Sequence, residues 1–392
     1  MKVTDYFKEA KGKTLMSFEI LPPLKGGSMA DPIRAKGVIA RKPNEPGVIE
    51  EFLVPHPGPG EALVRVLASG VCHTDLSAKN GVFGTDYFPF LLGHEGSGIV
   101  EEVGEGVTNV KEGDYVILAW RAPCGLCRFC QVGKPHLCSA SLNATQKMTT
   151  LDGEVLTPIL GIGTFCTHTL VHSRQCVPIE DGLPPEQMSL IGCGVMTGVG
   201  AALYSAQVEP GQSVAVVGCG GVGQSVIMGA KLAGATTIIA VDIDPQKLEW
   251  AKEFGATHTV NPKDGDPVAA IKEITGGHGV NASFEAVGKA QTIETAIWSR
   301  DLAGTCVIIG VAGQQESYEL PIAKFFDLGG SLRISWYGDC LPTRDFPLLS
   351  QWYAQGQLDL DRIVTRVISL DETEEAFHAM ERGETLRSVI RL

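Results

Sequence analysis

The sequence has no block of lysine or arginine residues. Its 32 Lys and Arg residues are outnumbered by 45 Asp and Glu residues, so that the 392-residue chain carries a formal net charge of −13 at pH 7. A nucleic-acid-binding domain usually concentrates positive charge on one face or one helix. We therefore expect no nucleic-acid partner.

The sequence also lacks a secretory signal and an uninterrupted hydrophobic run. Residues 187–208 and 210–230 are uncharged and reach the roughly 18 residues of a membrane span. Both stretches, however, are interrupted by polar residues and glycine. The first ten residues are charged, unlike a signal peptide. Apart from one Gly-Gly-Ser join, low-complexity segments and internal repeats are also missing. We expect a cytoplasmic protein with no membrane partner.

Cysteine, in contrast, is abundant, and four of the eleven cysteines lie close together. They follow the pattern C-x2-C-x2-C-x7-C and are Cys124, Cys127, Cys130 and Cys138. Without a secretory signal, such a group favours metal ligation over disulfides. Four thiolates can surround one zinc ion and leave no open position, which predicts a structural site. Unligated or disulfide-linked cysteines and an iron–sulfur cluster are the alternatives.

Residues 213–242 contain an apolar run, a glycine motif, a helical stretch and a second apolar run that ends on an acid. The motif is G-x-G-x-x-G, formed by Gly218, Gly220 and Gly223, and the acid is Asp242. In a βαβ unit these glycines permit a tight turn, an approach of the backbone to a pyrophosphate, and close packing of helix on strand. The acid accepts hydrogen bonds from both ribose hydroxyls, which favours NAD because a 2′-phosphate would meet its charge.

The predicted secondary structure of the chain changes near residue 189. Before it, short apolar runs separated by turn signals predict β structure, and after it strands alternate with helices, which predicts a parallel sheet covered on both faces. The strands predicted in the first part are residues 36–40, 61–68, 96–103 and 114–120. Those predicted in the second part are 214–217, 237–241, 282–285 and 305–309. From about residue 337 the chain returns to loop, helix and a final strand.

Residues 1–28 differ from the rest of the chain. They end in Gly26-Gly27-Ser28, a flexible join that is followed by Met29. The segment SFEILPP within them resembles the beginning of methylenetetrahydrofolate reductases, but no later residue supports that likeness. We interpret residues 1–28 as a leader or fusion segment, with a native N-terminal arm as the alternative. Loss of folding or activity on their deletion would contradict this interpretation.

Three dispersed residues form a second candidate metal site. They are Cys72 in GVCHTD, His94 in GHEGSG and Cys193 in IGCGV. Taken singly, each is a common kind of core residue. Together they supply two thiolates and an imidazole, the ligand set of a catalytic zinc that keeps its fourth position for water or substrate.

These motifs occur in the order found in zinc-containing medium-chain alcohol dehydrogenases, which the chain resembles over residues 30–392. Within that family it is most similar to the mycothiol-dependent formaldehyde dehydrogenases, also called S-nitrosomycothiol reductases. The closer likeness is carried by NATQKM, GCGVM and WYGDCLPTRDFP. The resemblance implies a mixed β and α/β architecture. A GroES-like β-rich catalytic domain would span residues 29–194 and 337–392, and a Rossmann domain with a doubly wound parallel sheet would span 195–336.

The resemblance also implies roles around the catalytic zinc. Cys72, His94 and Cys193 would be its ligands, and Glu95 would sit behind the metal as an outer or transient ligand. Asp75 would accept a hydrogen bond from the His94 ring and fix its orientation.

Proton transfer would begin at Thr74, which matches the hydroxyl residue that touches the alcohol. Relatives often carry a histidine three positions further on, where this chain has Ser77. The outer step of the relay would then use water or His73.

The coenzyme would be NAD. His73 occupies the place of an arginine that contacts the pyrophosphate in relatives, Arg387 matches a second such contact, and Lys247 matches a residue beside the adenosine ribose. A solvated loop histidine is the alternative for His73, and an ordinary surface charge is the alternative for Arg387. The full set expected at the coenzyme is Gly218, Gly220, Gly221, Val222, Gly223, Asp242, Lys247, His73, Ile309, Val311 and Arg387. Trp120 would border the substrate pocket, although a core aromatic residue would look the same in sequence.

The implied reaction is hydride transfer between NAD and an alcohol, with one catalytic and one structural zinc in each chain. The substrate would be the S-hydroxymethyl adduct of a low-molecular-weight thiol and formaldehyde, or an S-nitrosothiol. A general alcohol dehydrogenase or carbonyl reductase without a thiol requirement is the alternative. A non-catalytic nucleotide-binding zinc protein is a more distant alternative, because it predicts loss of a zinc ligand or of Thr74.

Relatives form dimers or tetramers through edge strands of the coenzyme domain, and we expect residues 305–311 to be that edge because they are apolar.

Overall fold

Three β-sheets form the framework of the part of the chain that the structure describes. The computed structural model describes residues 31–313 and 315–392, so the interpretation of residues 1–28 lies outside the described part. Two of the sheets take most of their strands from the first half of the chain, and the third is formed by strands of the second half.

The first two sheets are mixed and contain short strands. One has the order β7-β2-β1-β4-β8, and the other β10-β6-β5-β3-β18-β17, with β9 also paired to β3. Strand β18 pairs with β3 in antiparallel direction, and the second sheet therefore joins the C-terminal end of the chain to its first half. The strands are β1 Ile33–Ala40, β2 Val48–Val54, β3 Glu61–Gly70, β4 Phe90–Leu91, β5 Gly96–Val103, β6 Tyr115–Leu118, β7 Thr149–Thr150, β8 Thr157–Pro158, β9 His168–His172, β10 Cys176–Pro178, β17 Val364–Ile368 and β18 Arg387–Arg391.

The third sheet is parallel throughout, in the order β13-β12-β11-β14-β15-β16. Numbered from its own first strand, this is 3-2-1-4-5-6, the order of a Rossmann dinucleotide-binding sheet. The order reverses between β11 and β14, where such sheets open a crevice for a ligand. Its strands are β11 Ser213–Val217, β12 Thr237–Val241, β13 His258–Val260, β14 Val280–Glu285, β15 Arg300–Ile308 and β16 Ser331–Ile334.

The edge of the third sheet is not the one expected from the sequence. Residues 305–311 were expected there, but β15 pairs with β14 on one side and with β16 on the other. The edge on that side of the sheet is β16, with Leu332 and Ile334 exposed by 39% and 65%. The prediction was wrong because a four-residue strand containing Ser331 and Arg333 shows too little hydrophobic periodicity to be recognised.

Helices cover the sheets and connect them. They are α1 His73–Lys79, α2 Arg128–Gln131, α3 Pro185–Ser205, α4 Gly221–Leu232, α5 Pro245–Phe254, α6 Pro267–Ile274, α7 Ala290–Trp298, α8 Ile322–Leu328, α9 Pro342–Ala354 and α10 Thr373–Glu381. Short 3₁₀ turns occur at Pro135–Leu137, Ile159–Gly161, Ser173–Gln175, Tyr337–Asp339 and Leu370–Glu372.

Helix α3 lies between the two halves of the protein. It alternates α and π geometry, with π turns at Ile191–Val195 and Ala201–Ser205. Among the described residues it alone is long and apolar enough to cross a membrane, but 78% of its apolar window is buried inside the protein. Its buried side chains share a core with the third sheet, as Val195 and Val199 do with Val214. Burial of this kind is typical of a core helix, and α3 runs across the domain boundary predicted at residues 194 and 195.

Candidate metal and coenzyme sites

The dispersed cysteines and histidine come together where three elements meet. Cys72 directly precedes α1, His94 and Glu95 lie between β4 and β5, and Cys193 lies in the π turn of α3. One ligand atom from each of the four residues lies within 4.8 Å of the others. The fold therefore gathers into one cluster residues that lie up to 121 positions apart in the sequence.

Asp75 holds the histidine of this cluster in place. Its Oδ1 lies 2.9 Å from His94 Nδ1 and accepts a hydrogen bond from the Gly93 amide, while Oδ2 accepts one from the Cys72 amide. The carboxylate and the ring are both fully buried. Asp75 thereby fixes the backbone at Cys72 and at Gly93, the residue before His94, as well as the His94 ring.

His94 Nε2 is the atom that tests whether a metal fits this cluster. It is buried and has no hydrogen-bond partner among the described residues. Leaving such a group unsatisfied is costly, so it calls for an explanation. A zinc ion bound by Nε2 and by the thiolates of Cys72 and Cys193 would satisfy it, and the hydrogen bond at Nδ1 fixes the tautomer that this requires.

Charges in the cluster favour an ionised thiol. A hydrogen bond from Cys193, with the positive charge of His94, holds the pKa of Cys72 well below its usual value. Burial opposes protonation of His94, but Asp75 and Cys72 outweigh it and raise the pKa of His94 well above its usual value. Burial raises the pKa of Glu95 to about 7 against the attraction of Arg387, which forms an ion pair with Glu95. A deprotonated cysteine is the form that binds zinc.

The four-cysteine loop forms a second cluster. One Sγ atom from each of Cys124, Cys127, Cys130 and Cys138 lies within 4.8 Å of the others. Cys127 Sγ is 3.6 Å from Cys130 Sγ and 3.9 Å from Cys138 Sγ, far longer than the roughly 2.0 Å of a disulfide bond. All eleven cysteines are free. Four convergent sulfurs fit a tetrahedral metal with no open position.

The glycine motif forms the turn between β11 and α4. Gly218 has φ +93°, which a side chain would strain, and a Cβ at Gly223 would lie 1.8 Å from the Gly218 carbonyl oxygen. A Cβ at Gly220 would meet nothing within 4 Å, so the backbone there is open to a ligand. Asp242, at the end of β12, accepts hydrogen bonds from the Cys219 amide at 2.7 Å and the Asp244 amide at 2.9 Å. Its carboxylate is thereby held beside the glycine turn.

Arg387 lies between the two sites. It contacts Glu95 in the metal cluster, and a Cβ at Gly221, in the first turn of α4, would lie 2.6 Å from its Cδ. The side chain is almost completely buried. Its predicted contact with a pyrophosphate stays a prediction, whereas the ion pair with Glu95 was not expected from the sequence.

The other predicted residues lie around the crevice. Val222 belongs to the first turn of α4, and Ile309 and Val311 follow the carboxyl end of β15. Lys247 lies on α5, with its Nζ beside the turn at Gly383. Their roles toward a coenzyme stay predictions.

Three further candidates lie on α1. Thr74 and Ser77 are half-buried on this helix, and His73 at its start is exposed. Partial desolvation lowers the pKa of His73, and the charges of Arg387 and Lys247 lower it further. Their roles in proton transfer stay predictions.

An aromatic group stands beside the metal cluster. The ring centroid of Trp120 is 4.1 Å from that of Tyr337 and 5.9 Å from that of Trp336. The Tyr337 hydroxyl donates a hydrogen bond to the Gly192 carbonyl, next to Cys193. The role of Trp120 at a substrate pocket stays a prediction. The sequence argument assigned no role to Trp336 or Tyr337, since Trp336 lies 216 positions after Trp120 and no local pattern joins them.

Glu61 is a further residue that the sequence argument missed. Its buried carboxylate accepts hydrogen bonds from Gly58, Thr145 and Gln146 and so anchors the loop that follows the four-cysteine segment. An acid at the start of an apolar strand carries no signal that it will be buried.

Comparison with known proteins assigns the chain to a family. The family model described as alcohol dehydrogenase GroES-like domain matches residues 58–181, and the one described as zinc-binding dehydrogenase matches residues 221–355. An S-(hydroxymethyl)glutathione dehydrogenase of Escherichia coli O1:K1 / APEC is 38% identical over 370 residues, covering 92% of this chain and all of that protein. The chain belongs to the zinc-dependent medium-chain alcohol dehydrogenases.

Solved structures of similar proteins show the same architecture. An alcohol dehydrogenase zinc-binding domain protein from Burkholderia ambifaria superposes with a TM-score of 0.87 at 34% identity, covering 92% of this chain and all of that one. The benzyl alcohol dehydrogenase of Acinetobacter calcoaceticus gives a TM-score of 0.86 at 31% identity, covering 92% and 99%. The predicted GroES-like and Rossmann folds and the predicted enzyme class are confirmed. Membership in the medium-chain alcohol dehydrogenases implies the use of zinc and of a nicotinamide dinucleotide.

Proposed function

We propose that this medium-chain dehydrogenase oxidises the S-hydroxymethyl adduct of a low-molecular-weight thiol and formaldehyde, with NAD as the hydride acceptor. The products would be the S-formyl thioester, NADH and a proton. The observation that carries the chemistry is the cluster of Cys72, His94 and Cys193, with its buried, unpartnered His94 Nε2. The substrate class is supported by the name and 38% identity of the E. coli relative.

Two zinc ions per chain belong to this proposal. Cys72, His94 and Cys193 would hold the catalytic ion, because this ligand set leaves one position open. The four-cysteine loop would hold a structural ion, because its four sulfurs leave none. Glu95, paired with Arg387, would stay behind the catalytic ion as an outer or transient ligand.

The side chains around the cluster have separate tasks. Bound zinc supplies a Lewis acid that makes a substrate hydroxyl easier to deprotonate, and bound NAD supplies the hydride acceptor. Asp75 keeps the His94 ring oriented through its Nδ1. The Thr74 hydroxyl, on the first turn of α1, would take the substrate proton and pass it outward through water or His73, because Ser77 stands where relatives have a histidine.

The choice of NAD over NADP rests on Asp242. Its carboxylate is held beside the glycine turn by two backbone amides, where it would accept the ribose hydroxyls and repel a 2′-phosphate. Lys247, His73 and Arg387 would complete the contacts to the ribose and the pyrophosphate. We also propose the domain boundaries stated above, with the crevice between the domains as the reaction site.

A simple alcohol is the second candidate substrate. It is favoured by the aromatic group of Trp120, Trp336 and Tyr337, because rings beside the metal cluster suit an apolar or aromatic alcohol better than a polar thiol adduct. The similar benzyl alcohol dehydrogenase is named for such a substrate. This candidate needs no thiol.

The deciding experiment measures NADH formation by protein of known zinc content. Formaldehyde would be supplied with mycothiol, with glutathione and with no thiol, beside benzyl alcohol and short primary alcohols alone, each with NAD and with NADP. Turnover that requires a thiol supports the proposal, and the better thiol identifies the adduct. Turnover on alcohols alone supports the second candidate. Preference for NADP would contradict the role of Asp242.

We further propose a cytoplasmic homodimer or homotetramer. The edge strand β16 presents unpaired backbone together with Leu332 and Ile334, and the neighbouring helix α8 exposes Ile322 and Phe326 by 68% and 83%. An exposed apolar sheet edge needs a cover, and a second copy of the same edge provides one. Light scattering on the intact protein tests this, and a monomer at micromolar concentration would contradict it.

A further inference from the structure

Cys193 lies in an unusual stretch of helix. The π turn Ile191–Val195 interrupts α3 between the α-helical segments Pro185–Leu190 and Met196–Gly200. Hydrogen bonds in a π turn span one residue more than in an α-helix, and such turns are frequent at functional sites. A carbonyl displaced from the α-helical pattern needs another donor when it is buried.

Tyr337 places a donor at Gly192, inside this π turn. Its hydroxyl donates a hydrogen bond to the Gly192 carbonyl, one residue before Cys193, and its ring is 4% exposed. The contact joins positions 145 residues apart and is made by the first residue of the 3₁₀ turn Tyr337–Asp339. Tyr337 therefore reaches the backbone that carries the cysteine, rather than the cysteine itself.

The backbone around Tyr337 is held in a conformation that is rare for its residues. Tyr337, Gly338 and Asp339 have φ values of 57°, 64° and 53°, all in the left-handed region. A non-glycine residue there is uncommon, and a bulky one is strained. Such a conformation persists only where the surroundings determine it, and it often accompanies function.

Contacts on several sides determine this turn. Asp339 accepts hydrogen bonds from the Ser205 hydroxyl at 2.8 Å and from the Trp336 amide at 3.3 Å. His136, which lies between Cys130 and Cys138, is 3.6 Å from Asp339. The ring of Trp120, four residues before Cys124, packs on Tyr337 at 4.1 Å. The turn thus rests on the four-cysteine loop on one side and on α3 on the other.

We propose that Tyr337 is a positioning residue for the catalytic metal, holding the π turn of α3 so that the Cys193 sulfur stays aimed at Cys72 and His94. The inference rests on the proposed function, since it assumes that these three residues hold zinc. Core packing by the Tyr337 ring alone would not require the hydroxyl. The hydroxyl is therefore the group to remove.

The test compares Tyr337→Phe with Tyr204→Phe in the zinc-loaded, full-length protein. Tyr204 lies on the same helix, eleven residues after Cys193. Its hydroxyl donates a hydrogen bond to Asp345 at 2.9 Å. Each substitution thus removes one tyrosine hydrogen bond, but only one of the bonds lies beside the ligand. Zinc transfer to a chromogenic chelator is followed in time, and the visible spectrum of the cobalt(II)-substituted catalytic site is recorded.

In Tyr337→Phe we expect the catalytic zinc ion to leave about fivefold faster, which is the effect of one lost hydrogen bond. The release rate of the structural zinc ion should be unchanged. The cobalt absorption bands should shift, and kcat should fall while the KM for NAD is kept. Tyr204→Phe should match the wild type in metal release and spectrum. Unchanged release and spectrum in Tyr337→Phe, or faster loss of both ions, would overturn the inference.

Two further outcomes also decide. If Tyr337→Phe does not fold, Trp120→Leu removes the ring that supports Tyr337 and leaves the hydroxyl. Faster loss of the catalytic zinc ion from Trp120→Leu then supports the inference, and unchanged release of that ion overturns it. Wild-type protein that holds zinc only in the four-cysteine loop overturns both the inference and the proposed function. Two ions whose release no substitution changes overturn the inference alone.

Discussion

The two cysteine clusters reach a similar geometry by opposite routes. The four-cysteine cluster comes from residues 124–138, within a loop whose cysteines are mostly half-exposed. The cluster of Cys72, His94 and Cys193 is assembled by three separate elements and is buried except for a partly exposed Cys193, with Asp75 and Arg387 packed around it. Local sequence spacing is enough to build a metal site in which all four ligands come from one loop. A site that keeps one position open for substrate and excludes water needs ligands placed by the whole fold.

The largest expected effect breaks the buried cluster. Cys72→Ser replaces a thiolate by a hydroxyl that binds zinc poorly, so zinc should fall from two ions per chain to one. Turnover should fall by at least about 1000-fold, because a metal contributes several kcal/mol to such reactions. Metal analysis and steady-state kinetics check both numbers.

Cys176→Ser is the matched control for that substitution. Cys176 is buried outside both clusters. We expect this variant to keep two zinc ions and its turnover, with some loss of stability from the buried hydroxyl. Full zinc and turnover in Cys72→Ser would show that the buried cluster is not the catalytic centre.

The next effect breaks the loop cluster. Cys127→Ser leaves three sulfurs, so we expect loss of the second zinc and an unfolding temperature lower by about 5 °C or more. Turnover should stay within about tenfold of wild type, because the loop contacts the buried cluster indirectly, through the packing of Trp120 on Tyr337 and the contact of His136 with Asp339. Calorimetry and kinetics on the same sample separate the effects. Turnover as low as in Cys72→Ser would mean that the two clusters are not separable in function.

A smaller effect concerns the support of the buried cluster. In Asp75→Asn, an amide NH2 group replaces an oxygen that accepts from backbone amides and from His94. Outer partners of this kind typically change metal affinity by about 10- to 100-fold. Chelator competition should show that loss at the catalytic ion only. Equal weakening of both ions would indicate a general loosening of the fold.

The smallest effect concerns an anchor that uses no metal. Burial alone would raise the pKa of Glu61, but hydrogen bonds from Gln146, Thr145 and Gly58 outweigh it and lower that pKa below 4.5. The carboxylate then stabilises the fold above the pKa of the unfolded chain. That contribution is lost as pH falls through the folded pKa.

The corresponding variant is Glu61→Gln. It should lower the free energy of unfolding by about 1 to 2 kcal/mol at pH 7, and the difference from wild type should shrink below about pH 4.5. Denaturant unfolding across pH measures this. A gap that is constant with pH would mean that the charge plays no part.

What could be predicted depended on how far apart the interacting residues lie. The strands around the glycine motif and the acid at their end follow from local periodicity, because each element needs only its own residues to be recognised. The edge strand β16 was missed because four residues show no reliable period. The ion pair of Arg387 with Glu95 and the contact of Tyr337 with Gly192 were missed because nothing local in either partner refers to the other.

The sequence by itself determined the Rossmann turn, the four-cysteine loop and, through the order of its motifs, the family. In these cases the chemistry lies within a few consecutive residues whose spacing sets the geometry. Only the tertiary structure decided which arginine pairs with Glu95 and which tyrosine donates a hydrogen bond to the turn of Cys193. Those contacts join residues more than one hundred positions apart, or depend on the direction of a buried side chain, and both are set when the sheets and α3 pack together.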